Sequence, residues 1–230
     1  MAKIIFYFKA SSDQKEALLN ACEHLASADF VSKNKLEIAL MRSRASDILA
    51  SPADSDFLLN LDVVLEIVAP AGVPIKAVKA KLKQALLPII KLINKEKSSL
   101  VYGYHRTFQE SGKKPKRYHY LMHRREDFNR ADYMDHYVNR HYVFGIATPL
   151  ADYYQNYLDI EEVTALAKFF GIQPLSADSI SELRFDSANA YMLSDTICEI
   201  GPVAKDDEAR FANQAIGQSF SMDVLFDSRD

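Results

Sequence analysis

Two successive runs of strand, helix, strand, strand, helix, strand predict an α+β protein of tandem ferredoxin-like (βαββαβ) halves. Three observations support this. Segments rich in β-branched and aromatic residues alternate with segments of helical periodicity. Glu110 to Lys116 (ESGKKPK), with Gly, Pro and clustered lysines, reads as a linker near the middle of the chain. The 230 residues suit two units of about 110, near the commonest domain size. The halves are then 1–112 and 113–230. A four-stranded sheet of this kind carries helices on one face and leaves the other bare, and an apolar sheet face must be covered. A second copy in the same chain supplies the cover. The two sheets are therefore expected face to face, as in a dimeric α+β barrel formed within one chain.

In the first half, Lys3 to Lys9 (KIIFYFK) reads as a strand covered on both faces. Ser11 to Ala26 reads as a helix with Leu18, Cys22 and Leu25 as its apolar stripe. Ser12 or Asp13 is the expected cap, with Glu16 completing a capping box. Lys35 to Ser43 is the second strand, a loop with Ser51, Pro52 and Asp54 follows, and Leu58 to Val68 is the third. Pro74 marks a helix start, because its missing N–H costs nothing there. Ile75, Val78, Leu82, Leu86, Ile89 and Ile93 recur at helical spacing, with Pro88 expected to kink the run. Ser99 to Phe108 is the fourth strand.

The second half repeats the order. Arg117 to Arg124 (RYHYLMHR) is a strand and Asn129 to Arg140 a helix capped by Asn129. Asp152 to Leu158 and Ile180 to Phe185 are the second and third strands, Ser187 to Ile197 a weaker helix, and Gln218 to Leu225 the last strand. Between the second and third strands lies an addition: Glu161 to Phe170 reads as an extra helix ended by Gly171 as a left-handed cap. It is placed to lie over a cleft or to pad the surface.

Composition narrows the function classes. The net charge is −3, too small to imply a charged partner. Lysines 76, 79, 81, 83 and 91 read as the solvated face of a helix, and no nucleic-acid motif accompanies them. Cys22 and Cys198 form no CxxC pair and read as small hydrophobes. No stretch approaches the apolar length of a membrane span, and the N-terminus lacks signal-peptide features, so a cytoplasmic location is expected. GxGxxG, Walker A and GxSxG motifs are absent, which disfavours nucleotide cofactors, phosphoryl transfer and serine hydrolysis. Twelve tyrosines suit a partly wet cleft for a small molecule.

Four blocks of the second half carry a resemblance. They are LMHRREDFNRADYMDHYVNRHYVFGIATP (Leu121 to Pro149), YYQNYL, ISELRFDS (Ile180 to Ser187) and DDEARF (Asp206 to Phe211). Their order and spacing resemble the EthD family of dimeric α+β barrel proteins. Arg184 stands where that family usually has Trp. The first half shows only the order of elements. The resemblance implies catabolic or tailoring chemistry on an apolar aromatic or polyketide-like compound. The reaction would be cofactor-independent oxidation, dehydration or cyclisation. Haem binding, as in related barrels, is an alternative, and a non-catalytic small-molecule carrier on the same fold is another. A homodimer of such pseudo-dimers is an expected assembly.

His141 leads the candidate residues. Met134, Tyr137, Val138 and His141 share a helix face, and a neutral imidazole there could carry a proton near pH 7. The alternative is a core histidine bonded to a carbonyl or a tyrosine. Tyr154 and Asn156, two apart on a strand, could orient a carbonyl or simply pair across strands. In this reading Tyr137 helps position the substrate oxygen. His119 is a proton-transfer partner. His119 and His123 share a strand face but find no third metal ligand by spacing, so no metal is assigned. Arg124 holds an anionic substrate group or pairs on the surface with Asp127 or Asp132. Glu182 is a cleft base or the structural partner of Arg184.

Overall fold

Strand alternation and edge pairing decide the architecture. The computed structural model describes residues 1–27, 29–43, 61–70, 72–148 and 150–229. The loop expected around Ser51, Pro52 and Asp54, and the start of the third strand at Leu58, lie outside them. In the first half the strands are β1 (Ala2–Phe8), β2 (Glu37–Ser43), β3 (Val63–Val68) and β4 (Ser99–Gln109). They pair in the order β4-β1-β3-β2. In the second half β5 (Lys116–Met122), β6 (Ala151–Leu158), β8 (Ser179–Phe185) and β9 (Gln218–Asp227) pair as β9-β5-β8-β6, the same arrangement of first to fourth strand. The two-residue β7 (Gln173–Pro174) adds in parallel to β4.

The halves do more than face each other. Both sheets also join edge to edge, β2 with β9 and β6 with β4, and close an eight-stranded antiparallel barrel. Both seams carry a register shift, at Leu40/Met41 and at Thr107/Gln109, where the closing strands must bend. Closure removes the free edges that a single sheet would expose. At the β4–β6 seam a Cβ on Gly103 would fall against the Tyr157 carbonyl, 2.8 Å from its carbon and closer still to its oxygen. Backbone cannot yield as a side-chain tip can. Gly103→Ala is therefore expected to cost about 2–3 kcal/mol, read as a lowered urea midpoint.

The barrel interior departs from the expected greasy interface. Its lower layers are apolar, with Ile5, Val64, Val101, Leu121, Ile180, Phe220 and Met222 buried. Above them sits an ion network. Lys3 Nζ lies 3.2 Å from Glu66 Oε1 and 2.6 Å from Glu182 Oε2. Arg117 pairs with Glu66 and Asp227. Arg229 reaches Glu66 at 3.3 Å and Asp227 at 2.7 Å. The cause is periodicity: Arg117, Glu182 and Arg184 occupy inward positions of strands whose outward face is also covered.

Helices α1 (Lys15–Ala26) and α3 (Ile75–Ile90), separated along the chain by the short α2 (Asp29–Lys33), cover the outer face of the first sheet. The cap of α1 is Gln14, which makes no side-chain capping bond; Asp13 sits at φ 60°, a left-handed turn that does not suit an N-cap. Pro88 lies in the last turn of α3, which stops at Ile90 rather than running to Ile93. The extra helix is α6 (Ile160–Phe170), capped by Asp159 and by Gly171 at φ 75°. It packs on the first half, with Phe170 edge-on to Phe6 at 5.3 Å, and so buttresses that core, while Ile160, Val163 and Thr164 wall a cavity of about 330 Å³ beside Arg124. None of the helices among the described residues is long and apolar enough to cross a membrane.

Candidate active site

The second half holds a cavity of about 840 Å³ between the outer face of its sheet and its helices. The helical wall begins with α4 (Arg130–His136), capped as expected by the Asn129 side chain accepting from the Asp132 N–H. The helix does not stop at Arg140. A π-turn (Tyr137–His141) links it to α5 (Tyr142–Ile146). Such a turn inserts a residue and rotates the next helical turn about the axis, and π-turns recur at functional sites. Here it ends on His141, which lines the cavity. The weaker helix expected over Ser187 to Ile197 is two: α7 (Ala188–Met192) and α8 (Asp195–Glu208). They are broken at Ser194, which caps the second through the Ile197 N–H.

Helix α8 brings Asp207 to His141. His141 Nδ1 lies 3.0 Å from Asp207 Oδ2, and His136 Nε2 lies 3.1 Å from both carboxylate oxygens. Burial works to raise the Asp207 pKa, but the hydrogen bonds from both histidines outweigh it and the carboxyl stays below its ordinary 3.8. An ionised carboxylate only accepts, so His141 carries its hydrogen on Nδ1 and presents Nε2 as the basic nitrogen. Burial holds the imidazole below the ordinary 6.5, although Asp207 pulls upward. His141 is thus mostly neutral at pH 7, oriented and able to accept a proton.

Phenols form the floor. Tyr118, Tyr120 and Tyr153 project from β5 and β6 into the cavity. Burial pushes each above the ordinary 10.0, so each is a neutral donor at pH 7. Tyr120 donates to Glu208, whose carboxyl burial raises above 4.5. Phe144, Leu183, Ile197 and Ile200 supply apolar wall.

The structure divides the sequence-derived candidates by strand parity. His141 is on the cavity wall, and Tyr137 packs behind it, fully buried against Phe211, without lining the cavity. Tyr154, Asn156, His119 and Glu182 share the opposite face of the sheet, inside the barrel. There Asn156 Nδ2 donates to Glu182 at 3.3 Å and Tyr7 meets His119 Nδ1 at 3.1 Å. Tyr154 and Asn156 are therefore not brought to His141, because residues 153, 155 and 157 take the cavity face. Arg124 is pinned to Asp178, by its backbone N–H at 2.9 Å and by Nη1 at 2.6 Å, beside a separate small cavity. Glu182 pairs with Arg184 at 2.8 Å. Glu66, His119 and Glu182 place three ligand atoms within 4.8 Å of one another, but the Lys3 ammonium already bridges the two carboxylates. Asp207, Tyr118, Tyr120, Tyr153 and Glu208 were not singled out by sequence. The alternation in Arg117 to Arg124 contains the signal for two of them, once one face is assigned to the interior.

No protein-family model matches the chain, and no curated protein matches it in sequence. Solved structures do match. One is a protein of Lactobacillus acidophilus NCFM proposed to be a monooxygenase, 8% identical, covering 98% of this chain and 94% of that one at a TM-score of 0.59. A second is an anthrone oxidase-like protein, 12% identical, covering 98% and 91% at 0.58. A third is a DypB variant of Rhodococcus jostii RHA1 in complex with haem, 10% identical, covering 96% and 93% at 0.50. At these identities the likeness establishes the fold: this chain is a dimeric α+β barrel within one polypeptide.

Proposed function

We propose that the cavity beside His141 is the site of an oxidative enzyme acting on a small, mostly apolar, phenolic or polyketide-like compound, in the manner of EthD-type proteins. The observation that carries this is the Asp207–His141 pair, set on the wall of a cavity with a phenolic floor. His141 Nε2 takes a proton from a ring-activated methylene of the substrate. Neutral Tyr153, whose phenol oxygen accepts from Gln155 Nε2 at 2.8 Å and keeps its own O–H, donates a hydrogen bond to the oxygen where negative charge collects. The carbanion reduces O2 and one oxygen bonds to that carbon as a hydroperoxide. Loss of water then leaves a ketone, so that CH2 and O2 become C=O and H2O. Two neighbours of this fold, one proposed to be a monooxygenase and one anthrone oxidase-like, are in keeping with that chemistry.

The test is O2 uptake with a hydroxylated anthrone, followed across pH. Activity requires neutral His141. The acid limb is therefore expected below pH 6.5, because burial lowers the His141 pKa. Asp207→Asn removes the influence that raises it and leaves the imidazole free to take the wrong tautomer. It should move the limb further down and lower turnover by about tenfold or more. A limb unmoved by Asp207→Asn would remove the pair from the mechanism.

A second reading rests on the same nitrogen. His141 Nε2, with Nδ1 bonded to a carboxylate, would be the nitrogen to hold a haem iron, and Lys205, which lines the cavity, would pair with a haem carboxylate. Haem there would supply peroxide-dependent oxidation. Haemin added to the purified protein decides: a Soret band lost in His141→Ala supports this reading, and a colourless protein supports the first.

A further inference from the structure

A second cavity, of about 440 Å³, opens at the barrel mouth on the far side of the sheet from His141. Its lining is almost wholly ionic. Lys113, Lys114, Arg117, Arg184 and Arg229 face Glu110 and Asp227, while Glu66 and Glu182 pair with Arg117 and Arg184 from deeper in the barrel. Asp227 is already held by Arg117 and Arg229. Lys114 pairs outward with Asp186 at 2.8 Å.

Two buried guanidiniums in this wall retain donors. Arg117 is 1% exposed, yet its Nε has no hydrogen-bond partner among the described residues. Arg184 is 6% exposed and, among those residues, hydrogen bonds only through Nε, to Glu182. Its guanidinium carbon lies 3.9 Å from the centroid of the Tyr154 ring, which fixes the plane of the group. Burial of an unsatisfied charged donor is costly, and an anion relieves it. The loop above is held in place as well: Asp152 Oδ1 accepts from the Ser111 N–H at 2.8 Å and from its hydroxyl at 2.7 Å. That sets Lys113 and Lys114 over the mouth.

We infer that this cavity binds a small anion of two or three negative charges, with Arg184 and Arg117 as the buried anchors and Lys113 and Lys114 as the rim. Apart from Gly112 every residue that lines it among the described residues is charged, which favours a compact anion over an aromatic substrate. The shared chemistry is several anionic oxygens on one compact group, as in a phosphate or a polycarboxylate.

Isothermal titration with inorganic pyrophosphate and with citrate tests the site. One of the two is expected to bind with one-to-one stoichiometry at about 150 mM NaCl, near physiological ionic strength. The tighter one names the class. Lys113→Gln with Lys114→Gln, both near the surface, should weaken binding about tenfold or more. Arg184→Gln should abolish it, circular dichroism confirming that the variant folds. If Arg184→Gln does not fold, the lysine pair carries the test. Failure of both anions to bind, or binding that the lysine substitutions leave unchanged, would overturn the inference.

Discussion

His141→Ala is expected to lower turnover of an oxidised substrate by about 10²- to 10⁴-fold, the range for loss of a positioned general base. Among the described residues the substitution removes the one imidazole that both lines the cavity and is oriented by a carboxylate. His136 does not replace it. Its Nε2 is already directed at Asp207, and its ring lies 4.5 Å from Phe211 in a stacked contact. Two further readouts separate a catalytic loss from a packing defect. The acid limb of the pH profile should vanish in the variant, since the group that titrates there is gone. Imidazole added to the buffer should restore part of the rate by occupying the space left behind. Stability should fall only modestly, because His141 sits on the wall and not in the core. Full turnover in a folded His141→Ala protein would exclude His141 as the base.

Glu66→Ala is expected to destabilise the barrel by about 3–5 kcal/mol, the usual cost of removing one partner from a buried ion network. Glu66 is fully buried and meets Lys3, Arg117 and Arg229. Before the substitution the interior holds four cations, Lys3, Arg117, Arg184 and Arg229, against Glu66, Glu182 and Asp227. Afterwards the excess doubles among side chains that are largely buried, where screening is weak. Burial alone would raise the Glu66 pKa, but Arg117 and Lys3 outweigh it and hold the carboxyl well below 4.5. A carboxylate with a lowered folded pKa stabilises above its unfolded value and loses that contribution as pH falls through the folded one. Glu182 shows the same direction, with burial and Glu66 opposed by Lys3, Arg184 and Arg117. Acid unfolding should therefore begin below about pH 4.5, and urea melts of Glu66→Gln should lack part of that dependence. A loss under about 1 kcal/mol would mean that the network is hydrated.

The fold was legible because each half repeats one order of elements and because local signals agreed with it. Asn129 caps α4 and Gly171 ends α6 as their residue types require. Edge-to-edge closure was not legible, since pairing between β2 and β9 joins positions nearly the whole chain apart. The π-turn ending at His141 had no local signature either: YVNRHYV reads as ordinary helix. At the site, parity was the obstacle. In DYYQNYL, Tyr153 and Tyr154 are adjacent, similar and both buried, so the pattern does not say which one faces the helices. Glu182 and Arg184 were legible as a pair, and their spacing on a doubly covered strand was the one hint of an ionic interior. Asp207 lay inside a recognised block, DDEARF, but only helix α8 shows which of its acids reaches His141.

The proposed chemistry lies on the helix side of the second sheet, at His141, with an ion network in the barrel interior and the proposed anion site at its mouth. A crystal structure with a bound hydroxylated anthrone tests this most directly. The ligand should lie against His141 Nε2, over Tyr120 and Tyr153, with its oxygen toward a phenol. An anthrone found instead inside the barrel, against Tyr154, Asn156 and Glu182, would contradict it and return the site to the opposite face.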